Sequence, residues 1–287
     1  MEIRLHRVSR QSTYGGKRLK CLESRLVKNP EIYDNVRQQI VNYKLKGYAH
    51  TASEEEIRKF DLRRTWYLPL GVVLNPRKPG KVRLIWDAAA KVEGISLNTM
   101  LMKGPDLLSS LLSILFRYRE RQVAISGDIR EMFHQILVRQ EDRSSQLFLW
   151  RDSSDKPIET LVVDVAIFGA TCSPARSQYV KNLNATEYAA QYPRAAEAIV
   201  KSHYVDDYLQ SVDTVDEAVE LGLQVAEVHA KGGFQIVNCI SNNKAVLERI
   251  GEANPATVKN LNFDKGATGE RLLGMVWNPA NDVFTFL

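Results

Sequence analysis

Helical and strand periodicities alternate irregularly along this chain. Asn29-Pro30-Glu31 reads as a helix start: Asn as cap, Pro in the first turn, an acid near the positive end. Ile32, Tyr33, Val36, Ile40 and Tyr43 then recur at helical spacing, and Gly47 closes the helix. Ser53 to Glu56 opens a second, short helix as a capping box. Trp66–Leu74 and Val82–Trp86 predict a hairpin with a basic tip around Pro79-Gly80. After Gly104-Pro105-Asp106, residues Leu107, Leu108, Leu111, Leu112 and Leu115 form one apolar helix face. Strands are predicted at Val123–Ile125, Ile136–Val138, Leu147–Trp150, Leu161–Ile167, Phe234–Val237, Leu272–Val276 and Asp282–Leu287, and helices from near Pro174, from Thr214 to Gly232-Gly233, and from Ala245 to Gly251. Residues 1–20 lack periodicity and read as a loose basic arm, with Leu22 and Leu26 starting a short helical pattern.

Inside one apolar run stand two adjacent acids, Asp206 and Asp207. Neighbouring strand residues point to opposite faces, so this pair fits best at a hairpin tip. Alone, an Asp-Asp pair is most often a solvated turn. Asp128, at the end of a buried strand, adds a third acid at a strand end. If the two strands are neighbours, the acids converge at one sheet edge, and a divalent metal is the obvious compensating charge. The irregular alternation favours α+β over a doubly wound parallel sheet: an antiparallel sheet with helices on one face, of ferredoxin-like, split βαβ type.

Composition narrows the function classes. The chain has 287 residues and a net charge of +5, which points weakly to an anionic partner. The distribution says more: residues 1–28 carry eight bases against two acids, and a second basic cluster, Arg77-Lys78 and Lys81-Arg83, flanks Pro79-Gly80. The three cysteines form no disulfide framework and no CxxC, and the histidines lack zinc spacing. No apolar run approaches the roughly 18 residues of a membrane span, and the basic N-terminus has no apolar core of a secretory signal. A reducing intracellular compartment is the resulting expectation.

Taken together, the motifs resemble those of reverse transcriptases. Tyr204-Val205-Asp206-Asp207 is similar to the YxDD box, and Asp128 with Phe133 five residues later to the first catalytic motif. Gly169 followed by Ser173-Pro174-Ala175 resembles the template-and-nucleotide loop, and Arg83 with Asp87 the fingers motif. Gly232-Gly233-Phe234 and Leu273-Gly274 match the order of the last two palm motifs. The wording of Trp86–Lys91, Gly104–Leu107 and Phe168–Thr171 resembles the Pao/BEL class of LTR retrotransposons.

The resemblance implies a right-hand polymerase with fingers at 21–95 and 137–168 and palm at 96–136 and 169–287, behind the basic arm at 1–20. It implies an RNA-directed DNA polymerase that transfers nucleotides from dNTPs to a primer 3′-hydroxyl with two magnesium ions, for which manganese may substitute. Asp128, Asp206 and Asp207 would bind the metals, with the Ile129 carbonyl as an extra ligand. Phe133 would be the steric gate against a ribose 2′-hydroxyl; Arg83, with Lys78 or Lys81, would meet the triphosphate; Gly169 would let backbone approach the nucleotide. Tyr204 and Val205 would lie beneath the primer end, and Leu273 and Gly274 at the primer grip. Implied partners are an RNA or DNA template, a primer, dNTPs and other parts of a Gag-Pol-like polyprotein; the implied location is a cytoplasmic virus-like particle, with nuclear entry.

Two departures stand out. Phe168 replaces a Gln common before the Gly, and Asn238 stands where a Lys is expected as proton donor, leaving Lys231 or Lys244 as substitutes. The resemblance leaves a thumb and an RNase H domain unaccounted for after Leu287, so a polyprotein fragment or a decayed or co-opted copy is expected. The alternative function is a catalytically impaired, nucleic-acid-binding remnant; a metal-dependent nuclease ranks lower, because no base stands in a recognisable place.

Overall fold

The computed structural model describes residues 2–74, 81–258 and 269–286, with side chains from residue 8 onward. In chain order its first elements are α1 (Glu2–Leu26), α2 (Pro30–Leu45), β1 (Ala49–Thr51), α3 (Glu54–Lys59), β2 (Leu70–Leu74), β3 (Val82–Trp86), α4 (Leu97–Met100), α5 (Leu111–Tyr118) and β4 (Val123–Ile129). There follow β5 (Leu147–Trp150), β6 (Glu159–Val163), α6 (Ser173–Glu187), α7 (Pro193–Lys201), β7 (His203–Tyr204), β8 (Asp207–Val212), α8 (Val215–Lys231), β9 (Ile236–Ser241), α9 (Lys244–Ala253), β10 (Glu270–Leu272), β11 (Met275–Asn278) and β12 (Val283–Phe286). The chain divides into two compact units: residues 1–104 with 133–173, and residues 105–132 with 174–287.

The first unit holds a three-stranded sheet, β1–β6–β5, and the antiparallel hairpin β2–β3. Leu19, Leu22 and Leu26 of α1 and Val36 and Ile40 of α2 pack with Trp86, Phe148 and Trp150. The caps are those the sequence predicts: Asn29 Oδ1 accepts from the Ile32 N–H at 3.2 Å and Ser53 Oγ from the Glu56 N–H at 3.1 Å. At the end of α2, Gly47 takes φ +70° and the Tyr48 N–H reaches the Tyr43 carbonyl, a left-handed closure that a glycine adopts without strain.

Where a loose arm was expected at residues 1–20, α1 is helical from Glu2. From residue 8 onward the buried positions of α1 are Gln11, Gly15, Leu19, Leu22, Glu23 and Leu26, a helical stripe in which Gln11 and Gly15 are not apolar side chains. Glu23 is buried against Arg151, at 2.6 and 2.8 Å. Three smaller corrections follow. Leu107–Ser110 precede the helix, because Asp106 Oδ1 caps the Leu108 N–H as a local turn. Ile136–Val138 make only one bridge, Leu137 to Val165, rather than a strand. Leu272–Val276 is not one strand but a hairpin: Leu273 and Gly274, at φ +51° and +84°, turn β10 back into β11.

The second unit is built on a four-stranded antiparallel sheet in the order β7–β8–β4–β9. Alternation along its strands sends Val123, Ile125, Tyr208 and Val212 to one face, against α7, α8 and α9. Ala124, Leu209 and Ile240 go to the other, against Ile114 and Tyr118 of α5 and Leu272 and Trp277 of the three-stranded β10–β11–β12 sheet. Helices therefore do not lie on one face alone. The connection β8–α8–β9 skips across β4, as a split βαβ unit does.

Candidate active site

The carboxylates meet through strand register. Asp128 lies opposite Asp207 across β4 and β8, and both side chains fall on the face that carries Ala124 and Leu209. β7 and β8 pair Tyr204 with Asp207, leaving Val205 and Asp206 as a two-residue turn. The Asp206 carbonyl accepts the Ile129 N–H at 2.9 Å, which ties the turn to the end of β4. Val205 sits at φ +57°, an unusual backbone for a β-branched residue.

Like charges opposed across a sheet repel, and partial burial strengthens the effect. Burial, then Asp206, pushes the Asp128 carboxyl up to about 6, with a hydrogen bond from Asn238 pulling it back. Burial, then Asp206 and Asp128, pushes Asp207 up to about 7. Among the described residues no three His, Cys, Asp or Glu side chains are already gathered as a metal cage. A magnesium site completed by water and phosphate does not need one, and two opposed carboxylates whose charge is unfavourable without a cation are a suitable donor set.

Two residues have roles that the sequence reading did not give. Gln178 of α6, almost fully buried, donates to the Val205 carbonyl at 3.1 Å and so holds the strained turn from beneath. Asn238, at φ +54°, is the extra residue where β9 bulges against Gly127 of β4: two residues, Asn238 and Cys239, oppose one. The bulge aims the Asn238 amide at Asp128. A Cβ on Gly127 would stand 2.9 Å from Ile236 and 3.2 Å from Cys239, so the bulged strand needs that glycine. Lys231 and Lys244 are instead engaged in i,i+4 pairs with Glu227 and Glu248. Tyr204 and Leu273 both pack against the Leu209 cluster, on the carboxylates' face of the sheet. Gln178→Ala is expected to leave the Val205 carbonyl unsatisfied and to cost about 1–3 kcal/mol. Denaturant unfolding measures it; a change below about 0.5 kcal/mol, the ordinary spread of surface substitutions, would show that the turn holds itself.

In the first unit, Phe168 touches both Arg83 and Phe133. The Arg83 guanidinium lies 5.9 Å from the Phe168 ring centre, and the Phe133 ring packs edge-on to Phe168 at 4.8 Å. Phe168, a departure in the sequence, is thus the platform between Arg83 and Phe133. Gly169 follows at φ +105°, its Cα so close to the Trp86 carbonyl that a Cβ would lie 2.7 Å from that oxygen. Asn98 clamps the loop from both sides, donating to the Gly169 carbonyl and accepting from the Thr171 N–H, each at 2.9 Å. Asp87 caps a local turn through the Ala89 N–H. His134 is buried, bonded to the Tyr43 hydroxyl at 3.1 Å and stacked on Tyr48, a packing role. Lys81 is exposed, and Lys78 lies outside the described residues.

No family model and no curated protein matches the chain. Solved structures do. A foamy viral protease-reverse transcriptase in complex with double-stranded DNA aligns at TM-score 0.56 with 14% identity, covering 88% of this chain and 41% of that one. The chain has a reverse-transcriptase-like fold. A second foamy viral structure, a protease-reverse transcriptase dRH also in complex with double-stranded DNA, gives TM-score 0.54 at 16% identity over 84% of this chain and 33% of that one. A foamy viral protease-reverse transcriptase in complex with an RNA/DNA hybrid gives TM-score 0.53 at 16% identity, over 72% of this chain and 24% of that one. The chain spans well under half the length of these neighbours. Among the described residues no helix is long and apolar enough to cross a membrane.

Proposed function

We propose that the chain is the fingers-and-palm core of an RNA-directed DNA polymerase of the Pao/BEL retrotransposon type. The observation that carries this is the register pairing Asp128 with Asp207 beside the Val205-Asp206 turn, in a fold of this kind. Asp128, Asp206 and Asp207, with the Ile129 carbonyl, would hold two magnesium ions or manganese in their place. Such ions supply charge neutralisation and a more acidic primer hydroxyl for in-line phosphoryl transfer. The chain's own residues would orient the reactants. Arg83, steadied on the Phe168 ring, would pair with triphosphate oxygens in its fork geometry, with Lys78 or Lys81 adding charge. Phe133, braced edge-on against Phe168, would fill the space of a ribose 2′-hydroxyl. Gly169 would bring backbone against the nucleotide. Tyr204, Val205, Leu273 and Gly274 would support the primer end. The Asn238 amide is not an acid that could protonate pyrophosphate; its hydrogen bond would favour the charged form of Asp128.

Primer extension on poly(rA)/oligo(dT) with dTTP and magnesium tests the reading. Metal-dependent extension by the intact protein and none by Asp206→Asn is expected. No extension, with primer–template still bound, would replace it with the nucleic-acid-binding remnant. Phe133→Ala is expected to raise ribonucleotide incorporation relative to deoxynucleotide by at least about tenfold, the worth of some 1.4 kcal/mol of steric exclusion. Competition between dTTP and UTP measures it, and unchanged selectivity would remove Phe133 from the gate.

A further inference from the structure

Several helices of this protein pair bases with acids on the same helix among the described residues. Arg58 and Lys59 pair with Glu54 and Glu55 on α3, Lys201 with Glu197 on α7, Lys231 with Glu227 on α8, and Lys244 with Glu248 on α9. Helix α1 does not. From residue 8 to its end its one acid is Glu23, which is buried and held by Arg151. The outer face carries Lys17, Arg18, Lys20 and Arg25, with Lys28 just beyond, all exposed and none in an ion pair among the described residues. Arg10, on the same side, pairs with Glu93. Concentrating like charges on one helix opposes helix formation. The bases from Lys17 to Arg25 span about 12 Å of helix axis, the rise of roughly three to four nucleotides along a duplex strand.

We propose that the outer face of α1 is a binding surface for the phosphate backbone of a nucleic acid, carried wholly by the first unit. The proposal rests on the reading that this protein handles nucleic acid. Membrane lipid is a poorer match, because the apolar stripe of α1, Leu19, Leu22 and Leu26, is buried in the core and leaves no apolar face to insert. Base readout is not expected: the face offers point charges and forks, which position a backbone and carry no sequence information.

Cys21 lies among these bases and is exposed, whereas Cys239 is buried, so the surface contains its own reporter. Binding of a labelled single-stranded DNA 20-mer would be measured against salt for the intact protein and for the variant Lys17→Gln/Arg18→Gln/Lys20→Gln/Arg25→Gln. Circular dichroism would check that α1 is retained. Maleimide labelling at Cys21 would be followed by peptide mapping with and without DNA. The expected results are a log–log salt slope shallower by about 3 in the variant, from roughly 0.7 per lost phosphate contact, and DNA protection of Cys21 that is lost at high salt. A protein that binds DNA with an unchanged slope and an unprotected Cys21 would overturn this surface alone. Failure of the intact protein to bind any nucleic acid would overturn it together with the reading beneath it. Protection by polyglutamate equal to that by DNA at matched charge would assign the face to an acidic protein and overturn the nucleic-acid assignment.

Discussion

Asp207→Asn is expected to abolish primer extension and, without a divalent cation, to make the protein more stable. The loss of activity follows from removing a charged metal donor; a term worth several kcal/mol of transition-state stabilisation is about a thousandfold or more in rate. The gain in stability follows from register. Asp207 faces Asp128 across the sheet beside Asp206, and burial with those neighbours lifts it to about 7 while Asp128 rises to about 6. Both folded values lie above the ordinary 3.8. The fold thus holds these protons more tightly than the unfolded chain. That contribution is complete below the unfolded value and is lost as pH rises through 6 and 7. Both groups are partly exposed, so solvent screening brings the loss to the order of 1–3 kcal/mol. At pH 8 without metal the Asn variant should therefore melt a few degrees higher, at roughly 2–4 °C per kcal/mol, and the difference should shrink toward pH 5. The comparison at each pH also cancels the buried His203–His229 pair, whose charging opposes folding in acid. An Asn variant equal to or less stable than the intact protein at pH 8 would show that the carboxylates do not repel.

Gly169→Ala is expected to destabilise the first unit by about 2–4 kcal/mol, the sum of a left-handed backbone imposed on an L-residue and a collision with backbone. The added Cβ would lie 2.7 Å from the Trp86 carbonyl, and that oxygen is fixed by the β2–β3 hairpin. Gly47→Ala is the control. Its φ of +70° is also left-handed, but a Cβ there meets nothing within 4 Å, so only the conformational cost of about 1 kcal/mol remains. Denaturant midpoints separate the two; equal losses would mean that the loop at Gly169 moves aside freely.

Much of this fold is written locally. The caps at Asn29, Ser53 and Thr214, the closure at Gly47 and the apolar face of α8 need only a few neighbouring residues, and each is where the sequence puts it. The Asp206–Asp207 hairpin was legible for the same reason. What was illegible depends on partners distant in sequence. Helix α1 buries Gln11 and Gly15 in its core stripe, so a search for apolar periodicity misses it. The Asn238 bulge exists only in the pairing of β9 with β4, and nothing in a linear reading aims that amide at Asp128. Gln178 and Asn98 are ordinary polar residues until the fold brings them to the Val205 carbonyl and to the Gly169 loop. Phe168 read as a lost polar contact, whereas its ring links Arg83 to Phe133. The apolar run Val123–Ile125 read as a buried strand, but only the assembled sheet shows that α7, α8 and α9 cover one of its faces and α5 with a small sheet the other.

If the opposed carboxylates are a divalent-cation site, free manganese should disappear into it. The decisive measurement is a manganese titration of the intact protein at pH 8, read by the paramagnetic resonance signal of the free ion, alongside the double variant Asp128→Asn/Asp207→Asn. Saturable loss of the free signal with the intact protein, weakening at pH 5 as the carboxylates take up protons, and no loss with the variant is the predicted result. A free-ion signal that the intact protein leaves unchanged at pH 8, even with primer–template and dNTP present, would contradict it.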